Sequence, residues 1–130
     1  MHDILIVDDD PDMAAIVKEV LEAVGFRCRL ATNGVQALDE TAADMPDLVL
    51  MDMLMPVMNG WECAHALREA YGARLPIVIM TAAEHAGSRR EETNADAVIT
   101  KPFELRELIR VVRAFFPASS EQPEQSERSN

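Results

Sequence analysis

Ile4-Leu5-Ile6-Val7-Asp8-Asp9-Asp10-Pro11 is the stretch that decides the fold. Four apolar residues run directly into carboxylates. Asp10 and Pro11 then supply an N-cap and a first-turn proline for a helix. A short continuous apolar run reads as a parallel strand buried on both faces. The same pattern returns further along the chain. Leu48-Val49-Leu50-Met51 runs into Asp52, Ile77-Val78-Ile79-Met80 into Thr81, and Ala97-Val98-Ile99-Thr100 into Lys101. In an open α/β sheet, ligands bind just beyond the carboxyl ends of such strands. Three carboxylates, a hydroxyl and an ammonium are therefore expected on one edge of one sheet.

Between these runs the spacing is helical. After a strand at about 3–7, Met13, Ile16, Val17, Val20, Leu21 and Val24 recur on one helix face, and Gly25 ends that helix. Residues 26–31 alternate, with Phe26, Cys28 and Leu30 apolar against Arg27 and Arg29, which suits an edge strand. A second helix runs from Asn33-Gly34 to about Ala43, with Val35, Leu38 and Ala42 expected inward. A third follows Asn59-Gly60 and reaches about Tyr71. A last helix at 103–116 sets Leu105, Leu108, Ile109, Val112 and Phe116 against Arg106, Arg110 and Arg113. Repeated βα units joined by right-handed crossovers give a parallel sheet covered on both faces. With the alternating strand at an edge, the expected architecture is flavodoxin-like α/β, (βα)5, in strand order 2-1-3-4-5. Its switch point lies between strands 1 and 3, which puts Asp8, Asp9 and Asp52 side by side.

The chain has 130 residues, one domain's worth, and 48% of them are apolar. No stretch approaches the ~20 apolar residues of a membrane span. The acidic start Met1-His2-Asp3 enters a strand at once, unlike a signal peptide. A cytoplasmic location, with no membrane contact, is the expectation. The net charge of −11 argues against direct nucleic-acid binding, because phosphates would be repelled. Cys28 and Cys63 lack the spacing of a metal motif and read as buried free thiols. Residues 117–130 are Pro, Ser, Glu, Gln and Asn with one Ala and one Arg. They are expected to be disordered, as a tail or the start of a truncated linker, leaving 1–116 as the folded domain.

Carboxylates this close repel, and one would hold a proton near neutral pH unless a cation joined them. Hard oxygen donors favour magnesium over zinc. A carboxylate there can attack phosphorus and form an acyl phosphate. Lys101 can neutralise a phosphoryl oxygen and the Thr81 hydroxyl can donate to another. Asp10 and Asp12 have a simpler reading, as helix cap and first-turn charge.

Taken together, Asp8-Asp9-Asp10-Pro11, Asp52-Met53-Leu54-Met55-Pro56-Val57-Met58-Asn59-Gly60, Met80-Thr81-Ala82 and Lys101-Pro102-Phe103 resemble the receiver domain of bacterial two-component response regulators, of the chemotaxis-regulator type. The likeness spans about residues 3–116. It implies that Asp52 is the phospho-acceptor, that Asp9 binds Mg2+ directly and Asp8 mainly through water, and that the Leu54 carbonyl completes the protein ligands. It implies that Lys101 pairs with the phosphoryl group, that Thr81 moves to hydrogen-bond it, and that the Lys101–Pro102 peptide is cis. The implied donor is a phosphohistidine on a sensor histidine kinase or histidine phosphotransfer protein. The implied output is a downstream protein target, or a second copy, at the face formed by the fourth helix, fifth strand and fifth helix. Such a domain assists its own modification and is not a turnover enzyme.

Two departures from the family stand out. Val98 occupies a position where relatives carry Tyr or Phe, and a valine has no comparable inward swing. The segment His85–Thr93 has almost no apolar face, so the fourth helix is expected to be short, mobile or displaced. Leu54 and Ala83, two residues after Asp52 and Thr81, replace polar groups that in similar domains position the hydrolytic water. Slow phosphate loss is the expectation.

Other functions give different patterns. A pseudo-receiver acting as a phosphorylation-independent interaction module would not need the full set of Asp8, Asp9, Asp52, Thr81 and Lys101. A flavin or nucleotide binder would need a glycine- or hydroxyl-rich loop after strand 1, where Asp8–Asp12 is acidic. A haloacid-dehalogenase phosphatase would need Asp-x-Asp-x-Thr/Val there, and Pro11-Asp12 breaks the match.

Overall fold

The computed structural model of the protein describes residues 2–53, 60–82 and 95–116. The predicted helix over 85–93, Leu54, Ala83 and residues 117–130 lie outside this set. Strands β1 (Asp3–Val7), β2 (Arg27–Ala31), β3 (Leu48–Asp52), β4 (Ile77–Ala82) and β5 (Ala97–Lys101) form one parallel sheet in order β2-β1-β3-β4-β5. The described helices are α1 (Pro11–Ala23), α2 (Gly34–Ala43), α3 (Gly60–Tyr71) and α4 (Leu105–Arg113), with a 3-10 turn at Gly72–Arg74. Here α4 is the last helix of the sequence, predicted over 103–116.

The apolar runs behave as continuous runs should, with every residue of β1 and β3 buried. Alternate side chains then build two cores. Ile4, Ile6, Leu48, Leu50, Val78, Met80 and Ile99 pack under α1 and α4. Leu5, Val7, Val49, Met51, Ile77 and Ile79 pack under α2 and α3. The expected Asp10 cap forms, its Oδ1 accepting from the N–H groups of Asp12 and Met13 at 3.0 and 3.3 Å, and Asn33 caps α2 by accepting from Gln36 N–H at 2.9 Å.

Several inward assignments change. α1 buries Ala14, Val17 and Leu21, while Ile16 is 46% exposed. Ile16 instead joins Met13, Pro102, Phe103 and Leu105, also exposed, along an apolar groove between α1 and the start of α4. α2 buries Gly34, Ala37 and Thr41, whereas Val35 and Ala42 face out. Small residues sit inside because α2 approaches α3 closely, with Cys63 Sγ 3.7 Å from the Gly34 carbonyl. On β2, Leu30 lies at the open edge and is exposed, while Arg29 is partly covered.

Arg29 is drawn in by charge. Its guanidinium donates to Asp3 Oδ2 at 2.8 Å, to Glu40 Oε1 at 3.1 Å and to the Glu40 and Asp44 carbonyls at the end of α2. It thereby satisfies the terminal Asp44 carbonyl, and adds a donor to the Glu40 carbonyl, on a helix that has no basic residue in its own last turn. Asp3, 5% exposed, is a buried anion at the amino end of the sheet, far from the acidic edge.

Candidate functional site

β1 and β3 are neighbours in register Val7↔Met51, so the residues that follow, Asp8 and Asp52, emerge side by side. Parallel pairing continues past them: Asp52 faces Met80, and Met53 N–H donates to the Met80 carbonyl at 3.3 Å. Thr81 pairs with Thr100, one step before Lys101. Asp8, Asp9, Asp52, Thr81 and Lys101 are thus set on one edge by four strand ends.

Carboxylate oxygens of Asp8, Asp9 and Asp52 lie within 4.8 Å of one another. Asp8 and Asp52 are buried at 2% and 7% exposure, and Asp9 is open to solvent. Lys101 Nζ stands 3.2 Å from Asp52 Oδ1. Asp8 Oδ1 accepts from Asp10 N–H at 2.9 Å, but its buried Oδ2 has no hydrogen-bond partner among the described residues. Burial lifts the Asp8 pKa above its ordinary value, and the charges of Asp52 and Asp9 add to the rise. The Asp10 N–H and Lys101 oppose it.

A buried, unpartnered carboxylate oxygen beside two further carboxylates fits a hard divalent cation, which would satisfy the oxygen and offset the repulsion. Three protein oxygens leave room for waters or a phosphoryl oxygen, the habit of Mg2+. Thr81 is buried at 6% exposure on the adjoining strand. The Lys101–Pro102 peptide is cis. The Leu54 carbonyl, the remaining implied ligand, lies outside the described residues. Cys28 and Cys63 are free and buried, and burial pushes both thiols up to about 12, so neither is a nucleophile near neutral pH.

Two features went unread in the sequence. Gly60 lies directly against Met53 and Asp52, and only its place after Asn59 hinted at anything, namely a helix start. In the sequence Asp3 is only part of an acidic start, whereas in the fold it anchors Arg29. Val98 is half-buried and packs on the α2–α3 side core. Of the arginine row on α4, Arg110 is engaged by Glu107 at 2.6 and 3.2 Å.

A 2-1-3-4-5 parallel sheet with a triple-carboxylate pocket at its switch point, and a lysine paired to Asp52, defines a signal-receiver domain. The chain belongs to the response regulator receiver domain family, whose family model matches residues 4–113. It therefore serves two-component signal transduction. It is 37% identical to the transcriptional regulatory protein CpxR of Escherichia coli over 135 aligned residues, covering 100% of this chain and 56% of CpxR. Response regulator MprA of Mycobacterium avium is 38% identical over 113 residues, covering 85% of this chain and 49% of MprA. The chain thus spans about half the length of these curated relatives. Among solved structures, response regulator TrrA of Thermotoga maritima in complex with Mg(2+)-BeF is similar with a TM-score of 0.82 and 33% identity, over 89% of this chain and 100% of that one. The signal receiver domain of a histidine kinase from Syntrophus aciditrophicus gives 0.83 and 30%, over 99% and 98%.

Proposed function

We propose that Asp52 accepts a phosphoryl group from a phosphohistidine on a sensor histidine kinase or phosphotransfer protein, in a reaction that depends on Mg2+. The observation that carries this reading is the convergence of Asp8, Asp9 and Asp52 within 4.8 Å, with Lys101 on Asp52. TrrA, solved with Mg2+ and BeF, supports taking the pocket as a cation site. Asp8, Asp9 and Asp52, with the Leu54 carbonyl, would hold the ion, which when bound neutralises charge on the incoming phosphoryl oxygens.

The residues then divide the work. An Asp52 carboxylate oxygen bonds to phosphorus while the P–N bond to the donor imidazole breaks and the imidazole keeps the electron pair. Lys101 leaves its Asp52 contact to neutralise a phosphoryl oxygen, and Thr81 donates its hydroxyl to another. Acyl-phosphate formation at Asp52 biases a two-state equilibrium on the face that includes β5 and α4. There Arg106 and Arg113 are exposed and can meet a protein target or a second copy. The domain assists its own modification and does not turn over substrate.

No helix among the described residues is long and apolar enough to cross a membrane, and the working location is the cytoplasm. CpxR is by name a transcriptional regulator. If this chain works within such a protein, DNA contact belongs to another part of it, since these residues carry a net charge of −11. The absence of a nucleic-acid partner is therefore proposed for this domain alone.

The test is acetyl phosphate with Mg2+, read by intact mass. A gain of one phosphoryl group that Asp52→Asn abolishes is the expected result. No gain favours the phosphorylation-independent module, to which Val98 lends some weight, and a gain that survives Asp52→Asn overturns Asp52 as the acceptor.

A further inference from the structure

Gly60 is the first residue of α3, and its backbone is pressed onto the end of the strand that carries Asp52. A Cβ added there would lie 2.6 Å from Met53 Sδ, 2.8 Å from Met53 Cα and 3.2 Å from the Asp52 carbonyl oxygen. Gly60 N–H also donates to the Met53 carbonyl at 3.1 Å. Unlike Gly25, with φ +104, and Gly72, with φ +67, Gly60 has no left-handed backbone to explain it. Its lack of a side chain answers a steric demand, the close approach of two backbones.

We infer that Gly60 is a positioning residue for the reaction at Asp52, an inference that rests on the phospho-acceptor reading. The contacts leave few ways to relieve an added methyl group. Met53 is 1% exposed, so its thioether has no solvent to swing into, and its Cα is backbone. α3 is held from behind by fully buried Cys63, Ala64 and Leu67. The strand end must give, and any shift of Met53 passes covalently to Asp52 on one side and Leu54 on the other. Those are the nucleophile and the implied carbonyl ligand. Metal–ligand distances tolerate only about ±0.2 Å, and the in-line approach to phosphorus is similarly exacting.

The experiment compares wild type with Gly60→Ala and with Gly25→Ala, whose added Cβ meets nothing within 4 Å and strains only a distant turn. Circular dichroism and thermal melts report folding. Calorimetric titration with MgCl2 reports ion affinity, and acetyl phosphate at saturating Mg2+ reports the rate at Asp52 by intact mass. Folded Gly60→Ala is expected to lose about 10- to 100-fold in Mg2+ affinity, in rate at saturating Mg2+, or in both. Gly25→Ala should lower the melting temperature and keep both values. Should Gly60→Ala fail to fold, Met53→Ala is compared with Met53→Ala/Gly60→Ala. The thioether clash is then gone and the backbone clash remains, so the double variant should still be slower. Folded Gly60→Ala with wild-type affinity and rate, or a double variant as fast as Met53→Ala, overturns the inference. Wild type that gains no phosphoryl group overturns the phospho-acceptor reading instead.

Discussion

Lys101 Nζ and Asp52 Oδ1, separated by 49 positions in the chain, meet at 3.2 Å at the ends of β5 and β3. The ammonium stands on the carboxylate that the proposed ion must also use. Lysine and divalent cation therefore compete for Asp52, and the same lysine is needed once a phosphoryl group arrives.

Lys101→Met should separate the two roles. Without the competing cation, Mg2+ binds more tightly, by roughly 0.5–1 kcal/mol or two- to fivefold in Kd for a partly solvated charge. The rate with acetyl phosphate falls, because a charge that stabilises the phosphoryl oxygens is gone. Titration calorimetry and intact mass measure the two effects. Weaker Mg2+ binding would mean that Lys101 organises the pocket rather than competing in it.

Asp8 governs the pH response. Burial raises its folded pKa above the usual 3.8. A group raised in the folded state favours folding below its unfolded pKa, and that contribution is lost as pH rises through the folded value. In the metal-free protein the charged form of Asp8 is thus a liability. Asp8→Asn should raise the metal-free melting temperature by a few degrees and remove most of the stabilisation conferred by Mg2+. Mg2+ affinity of the wild type should fall as pH drops through the raised pKa, since a protonated carboxyl is a poor ligand. A Mg2+ titration series across pH reads this directly.

Asp3 and Arg29 carry stability at the far end of the sheet. The side chain of Asp3 is 7% exposed and that of Arg29 23%. Arg29→Ala leaves the buried Asp3 carboxylate to the exposed Arg27 at 3.7 Å and removes the donor to the Asp44 carbonyl at the end of α2, at an expected loss of about 2–4 kcal/mol. Urea unfolding measures it. Asp3→Asn in the same chain should recover part of the loss by removing a charge then held by Arg27 alone, and the reaction at Asp52 should be unaffected in both.

The acyl phosphate should be long-lived. Leu54 and Ala83 offer no polar group to orient a hydrolytic water. Decay of phosphorylated protein in Mg2+ buffer, followed by intact mass, should take minutes or longer, and Leu54→Asn should shorten it. Loss within seconds in the wild type would show that another group positions the water.

Strand identity and the chemistry at each strand end were legible because they are local properties, and strand order because βα repeats with one alternating strand admit few arrangements. An apolar run marks a two-sided strand, its last residue marks the sheet edge, and the alternating Arg27–Ala31 segment marks an end of the order. Helix phase was less legible. Ile16, Val35, Ala42 and Leu105 flank their stripes, and the one-dimensional period does not distinguish a flank from a centre when both are apolar. Docking decided it, favouring Gly34, Ala37 and Thr41 where α2 closes on α3.

What the sequence determined by itself was the inventory: which strands form, and that carboxylates, a hydroxyl and an amine end them. What only the tertiary structure decided was distance. Asp8 and Asp52 become one pocket because β1 and β3 pair in register. Gly60 matters because α3 returns onto Met53, and Asp3 is tolerable because Arg29 reaches it across the sheet. Asp8 with Asp52 and Asp3 with Arg29 join residues far apart in the chain, and Gly60 meets Met53 because the chain folds straight back on itself; all three are set by packing and charge, which a one-dimensional period does not resolve.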